Sequence, residues 1–129
     1  MPRRRLTTRV SLWLPPLAYM AFIFYLSSQS DPLPQLTAHV WDKLLHALEY
    51  AGLAALFARA LLGEGLGWTA SVAAAALLAA AYGATDEYHQ LSVPLRTADL
   101  QDWIVDVVGA SLGALACALR APRDHASTP

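Results

Sequence analysis

Four stretches of this sequence are long and apolar enough to cross a lipid bilayer, and no other property restricts the fold as tightly. A helix rises about 1.5 Å per residue and the hydrocarbon core is about 30 Å thick, so roughly 17–25 apolar residues suffice for one crossing. The stretches cover residues 10–28, 43–62, 66–84 and 100–119. The first carries Trp13, Tyr19, Phe22, Phe24 and Tyr25, with Pro15 and Pro16 near its start. The third is built mostly of alanine, which lets helices approach closely in lipid. Between them, Pro32 and Pro34 mark an irregular loop over 27–41, residues 63–67 form a glycine-rich turn, and Pro94 interrupts 85–99. The composition agrees: 56% hydrophobic and 15% charged, where soluble domains run at about 45–50% and about 25%. The expected architecture is all-α, a single domain over 1–129 forming a four-transmembrane-helix bundle. A cleaved signal peptide over residues 1–30 is the competing reading of the first stretch; its length, its aromatic content and the lack of an A-x-A site argue against it.

Charge excludes some functions and orients the rest. A net charge of −1, with the short Arg3–Arg5 cluster as its strongest basic run, excludes nucleic-acid binding through bulk basicity. A single cysteine, Cys117, excludes a disulfide framework and a thiolate zinc site. With both termini cytoplasmic, that side receives Arg3, Arg4, Arg5, Arg9, Arg59, Arg120 and Arg123 against Glu64 and Asp124. The outer side receives Lys43 and Arg96 against Asp31, Asp42, Glu49, Asp86, Glu87, Asp99, Asp102 and Asp106. The positive-inside rule favours that orientation strongly, and it places His39, His46 and His89 in outer loops or outer half-helices. The expected location is the inner, cytoplasmic membrane, crossed several times.

The polar residues inside the apolar stretches are not scattered. Asp42, His46, Glu49 and Tyr50 are spaced to share one arc of the second helix, and Asp99, Asp102, Asp106, Gly109 and Gly113 share one arc of the fourth. His46 lies about 5 Å, and Glu49 and Asp106 about 9 Å, below the outer ends of their helices. Ionisable groups at matched depth in lipid imply mutual contact or a wet pocket, and they are functional-site candidates by default. Gly109-x-x-x-Gly113 below the acids is a seam for another helix. After the third stretch, one further helical turn would align Tyr82, Asp86 and His89 and send Glu87 elsewhere. Arg96, the outer arginine, is expected to pair with Asp99 or Asp102 or to hold an anionic ligand group.

Simpler roles compete for several residues. Lys43 is expected to snorkel to the headgroups, and Glu87 and Asp31 to be solvated loop charges. Tyr25, Trp41 and Trp103 fit an interfacial aromatic belt, and Cys117 a small packing position. His46, Glu49, Asp102 and Asp106 are also compatible with a purely structural polar network.

Three segments together resemble the VanZ-like family, small membrane proteins named after a glycopeptide (teicoplanin) resistance determinant. They are Ser27-Ser-Gln-Ser, Asp42-Lys-Leu-Leu-His46-Ala-Leu-Glu-Tyr50, and Asp86-Glu-Tyr-His-Gln90 continuing through Pro94-Leu-Arg96 to Asp102, Asp106, Gly109 and Gly113. Two positions depart from the family's pattern: Asp106 stands where many relatives have Asn, and Leu95 where Gly often precedes the arginine. The resemblance implies a multi-span bacterial membrane protein linked to glycopeptide or envelope-stress tolerance, and supplies no mechanism.

The residues support three classes of function. The first is a pocket formed by Asp42, His46, Glu49, Tyr50, Asp86, Glu87, Gln90, Arg96, Asp102 and Asp106 that binds an amphiphile: a membrane lipid, a lipid-linked cell-wall precursor or an amphiphilic antibiotic. The second is a metal-dependent hydrolase, with His46, Glu49, Asp86 and Asp102 as candidate ligands of a divalent cation. No H-E-x-x-H, nucleophile motif or glycine-rich phosphate loop supports it, so the reading leans away from an enzyme without excluding one, and no cofactor is expected, a divalent cation alone being left open. The third is a scaffold or homo-oligomer whose Gly109 and Gly113 seam receives another subunit.

Overall fold

A computed structural model describes the backbone of residues 2–30 and 39–122, with the side chains of 6–30 and 42–122. Asp31, Pro32, Pro34, Arg123 and Asp124, and the side chains of Arg3–Arg5, His39 and Trp41, lie outside the described residues. Four helices follow one another: α1 (Pro2–Ser27), α2 (His39–Gly63), α3 (Trp68–Gln90) and α4 (Leu100–Arg120). Each contains a segment long and apolar enough to span a membrane: Leu6–Ser27, Asp42–Gly63, Trp68–Gln90 and Leu100–Arg120. Among the described residues there is no strand.

Two helices are longer than their apolar stretches. α1 begins at Pro2 rather than Val10, because arginine is a good helix former and proline fits a first helical turn. α3 runs to Gln90 instead of ending at Ala84. The reason is packing: Ser71, Ala75, Ala79, Gly83 and Glu87 fall four residues apart on one buried face, and Asp86 and Gln90 extend it. The polar run Asp86–Gln90 is therefore the end of a helix and not a loop.

Helix α2 is central. It touches α1, α3 and α4, whereas α1 and α4 do not meet among the described residues. Tyr50, Leu53, Ala54, Phe57 and Ala58 on α2 form the core with Ile23, Ala75, Ala79, Ala110 and Ala114. The tightest approach is α2 to α4. A Cβ added to Gly109 would overlap the carbonyl oxygen of Ala47, and one on Gly113 that of Ala51. The glycine seam is thus filled by a helix of the same chain and not by a second subunit. Outward, Ile104, Val108, Leu112 and Leu119 form an exposed apolar stripe on α4, as lipid contact requires.

Polar ties hold the helices in register. Trp103 Nε1 donates to Ala80 O and Trp68 Nε1 to Ala118 O, each at 2.9 Å, fastening α3 to α4 at both ends. Trp103, near the start of α4, is therefore an interhelical donor as well as an aromatic ring at the end of a span. On α1, Pro15 lacks the N–H that would bond Ser11 O. Arg59 reaches across from α2 to that carbonyl at 3.4 and 3.5 Å. Glu64 accepts from Arg9 Nε and Trp13 Nε1, each at 3.1 Å, and Tyr82 Oη donates to Met20 O at 2.6 Å.

Candidate functional site

The polar residues gather at one end of the bundle, where the last turns of α1 and α3 meet the first turns of α2 and α4. A cavity of about 70 Å³ opens between α1, α2 and α3. Its polar wall is Asp42, His46 and Glu49 from α2, Asp86 and Gln90 from α3, and Arg96 from the loop before α4. Ile23 and Leu26 of α1 and Leu45 of α2 make the apolar side, and Ser27 closes the rim, accepting from Gln90 Nε2 at 3.3 Å. Beside it, Ser28 Oγ lies 3.1 Å from His89 Nε2, and the His89 ring rests on Phe24 with centroids 4.6 Å apart.

Behind the cavity, at the junction of α2, α3 and α4, lies a second layer. His46 Nδ1 donates to Asp106 Oδ1 at 3.0 Å, with Asp106 fully buried. Glu87 is buried too, and its Oε2 accepts from the Asp99 N–H at 2.9 Å. Asp99 in turn caps α4 by accepting from Gln101 N at 2.8 Å. Lys43 Nζ bonds Asp102 Oδ1 at 2.8 Å and approaches Asp99 Oδ2 at 3.8 Å.

Six of the ten residues expected at the site line the cavity: Asp42, His46, Glu49, Asp86, Gln90 and Arg96. Tyr50, Glu87 and Asp106 stand in the buried layer behind, and Asp102 faces Lys43. Three expectations need correction. Glu87 is buried on the α3 face that carries Gly83, one turn away, and is not a solvated loop charge. Lys43 is an ion-pair partner and does not merely snorkel; its place three residues before His46, on the same face, was the available signal. Arg96 pairs with neither Asp99 nor Asp102, because Lys43 holds both.

Several buried polar atoms have no hydrogen-bond partner among the described residues: Tyr50 Oη, Asp86 Oδ1, Glu87 Oε1, Arg96 Nε and Asp106 Oδ2. Buried groups of this kind are normally paired with protein, water or a ligand, and they cluster here. Among the described residues no lysine or arginine comes within ion-pair range of Asp86, Glu87 or Asp106, Lys43 being taken up by Asp99 and Asp102. Two sets of three residues bring one ligand atom each within 4.8 Å of one another: Asp42, His46 and Asp102, and His46, Glu87 and Asp106. Of the four metal candidates read from the sequence, His46 and Asp102 share such a set, whereas Glu49 and Asp86 fall in neither.

The turn carrying Arg96 is strained. Leu95 has φ 65° and is 93% exposed, a left-handed conformation that costs a non-glycine residue about 1–2 kcal/mol. This is the position where glycine often stands in the resembled family. Leu95→Gly loses almost no packing and should raise stability by about 0.5–1 kcal/mol, the strain relieved less the entropy of a freer unfolded chain. Denaturant titration of both proteins in the same detergent checks this; a lower midpoint for the variant contradicts it.

The family model described as VanZ/LLP1 matches residues 5–121, nearly the whole chain. Searches of curated proteins and of solved structures found no match. The chain belongs to the VanZ/LLP1 family and is a multi-pass membrane protein with four apolar helices.

Proposed function

We propose that this member of the VanZ/LLP1 family is a binding protein of the bacterial inner membrane. Its polar pocket faces the extracytoplasmic side and takes the headgroup of a lipid, a lipid-linked cell-wall precursor or an amphiphilic antibiotic. The observation that carries this reading is the two-sided cavity: carboxylates, an imidazole and a guanidinium on one wall, Ile23, Leu26 and Leu45 on the other, at the end of four apolar helices. Such a surface suits a molecule with a polar tip and an apolar body lying in the bilayer. The orientation rests on the excess of basic residues at the opposite end. The physiological consequence in this reading is tolerance of teicoplanin-type glycopeptides or of envelope stress.

Native mass spectrometry of protein purified in mild detergent, followed by lipid extraction, tests the binding. The wild type should retain one amphiphile class, and Arg96→Gln and Glu49→Gln should each reduce it at least tenfold at unchanged helicity. Arg96 Nε has no partner among the described residues, so its replacement breaks no hydrogen bond seen there. Equal retention by wild type and both variants would overturn the reading. In cells, the same variants should lose any glycopeptide tolerance the wild type confers, at equal membrane abundance.

A further inference from the structure

We propose that His46, Glu87 and Asp106 form a site for one divalent first-row metal ion, such as zinc or manganese, where α2, α3 and α4 meet behind the pocket. The three residues are 9%, 7% and 0% exposed, and each offers a ligand atom within 4.8 Å of the others. Metal–ligand bonds of about 2.0–2.2 Å hold donors roughly 3–3.5 Å apart, so small side-chain rotations complete the coordination.

The carboxylates are arranged for this. Glu87 Oε2 is held in place by the Asp99 N–H, and Asp106 Oδ1 lies 3.0 Å from His46 Nδ1, a hydrogen bond that gives way when both residues take the ion. The other oxygen of each, Glu87 Oε1 or Asp106 Oδ2, is buried and unpaired among the described residues. For Glu87, anchoring one oxygen while presenting the other is how outer-shell contacts orient metal ligands. Asp106 Oδ2 lies against Gly83 of α3, 3.3 Å from where an added Cβ would stand, and Glu87 is on the same face of α3 one turn further on. No lysine or arginine is in range of either buried carboxylate among the described residues, and the His46 imidazole is the one ion-pair partner, of Asp106 alone; a bound cation adds the positive charge that two buried carboxylates call for.

The donor set also selects the ion. One imidazole with two carboxylates suits zinc, manganese or iron(II) better than calcium or magnesium, which prefer all-oxygen shells. The neighbouring set of Asp42, His46 and Asp102 is the poorer site, because Lys43 already neutralises Asp102 at 2.8 Å.

The test uses full-length protein without a histidine tag, in mild detergent, stripped with a chelator and then equilibrated separately with zinc, manganese and calcium. Metal content after gel filtration should be close to one zinc or manganese per chain, with calcium at background. Glu87→Gln and Asp106→Asn, both nearly isosteric, should cut retention at least tenfold with unchanged helicity, while Asp42→Asn and Asp102→Asn retain the ion. X-ray absorption at the zinc edge of the wild type should show one imidazole and otherwise oxygen donors, a readout that needs no variant to fold. No retention by the wild type, undiminished retention by folded Glu87→Gln or Asp106→Asn, loss in Asp42→Asn, or a sulfur or multi-imidazole shell would each overturn the site. The site stands apart from the headgroup reading: lipid retention with no metal sinks the first alone, and metal without lipid sinks the second alone.

Discussion

Gly113→Leu should leave no folded bundle in the membrane. Even the first carbon of a side chain at this position would occupy the space of the Ala51 carbonyl oxygen, and Gly109 stands in the same relation to Ala47 one turn away. Backbone atoms have no rotamer through which to yield, so α4 must move off α2 along the seam. In lipid that loss is severe, because association there depends on close packing and interhelical bonds, with little hydrophobic gain from burying leucine away from hydrocarbon. We expect a cost of at least about 4 kcal/mol, at the extreme of single substitutions, against a total stability of order 5–15 kcal/mol. Gly113→Ala should lie between the wild type and leucine. Gly67→Ala is the control: nothing lies within 4 Å of a Cβ there, and the backbone at φ −60° accepts any residue. Membrane abundance and resistance to denaturing detergent measure the series. Wild-type abundance of Gly113→Leu would mean that α2 and α4 do not meet along this seam.

The next largest effect is expected from His46→Ala, at about 3–5 kcal/mol, the cost of stripping the partner from a buried charge. Asp106 is fully buried and its Oδ2 already has no partner among the described residues, so without His46 neither oxygen of that carboxylate would be satisfied. The size of the effect comes from the stranded carboxylate, not from the bond, since interhelical polar pairs in bilayers average only about 0.6 kcal/mol by double-mutant cycles. The double variant His46→Ala with Asp106→Ala should therefore recover much of the loss. Unfolding midpoints of the two single variants and the double variant decide it; if the double is no more stable than His46→Ala alone, the stranded carboxylate is not the cause.

Much of the fold was legible because lipid imposes a simple rule: a crossing helix has to be long and apolar, so all four segments stand out in the sequence. The shared arc of Asp42, His46 and Glu49 was equally visible, since helical spacing alone brings those side chains to one face, and all three line the cavity. The end of α3 was not. Thr85–Gln90 is polar enough to read as a loop, and only the partners across from it, the Asp99 N–H for Glu87 and Ser27 for Gln90, make those side chains welcome in a helix. Neither partner is near in sequence. The competition between Lys43 and Arg96 for Asp99 and Asp102 was hidden for the same reason: both cations were in reach by sequence, and the crossing of α2 over α4 decided in favour of lysine. Leu95 departs from a glycine pattern in the sequence, and its positive φ gives that departure a physical content.

One wall of the cavity is less firmly set than the others. Ile23, Leu26 and Ser27 belong to α1, which α4 does not touch among the described residues, and near the rim α1 is tied to α3 by the bond from Gln90 to Ser27 and by the contacts of His89 with Ser28 and Phe24. As it stands the hollow holds roughly two waters' worth of liquid, at about 30 Å³ each. The wall formed by α1 is held by fewer neighbouring helices than that formed by α2, so it is the one expected to yield when a guest bulkier than the present hollow is admitted.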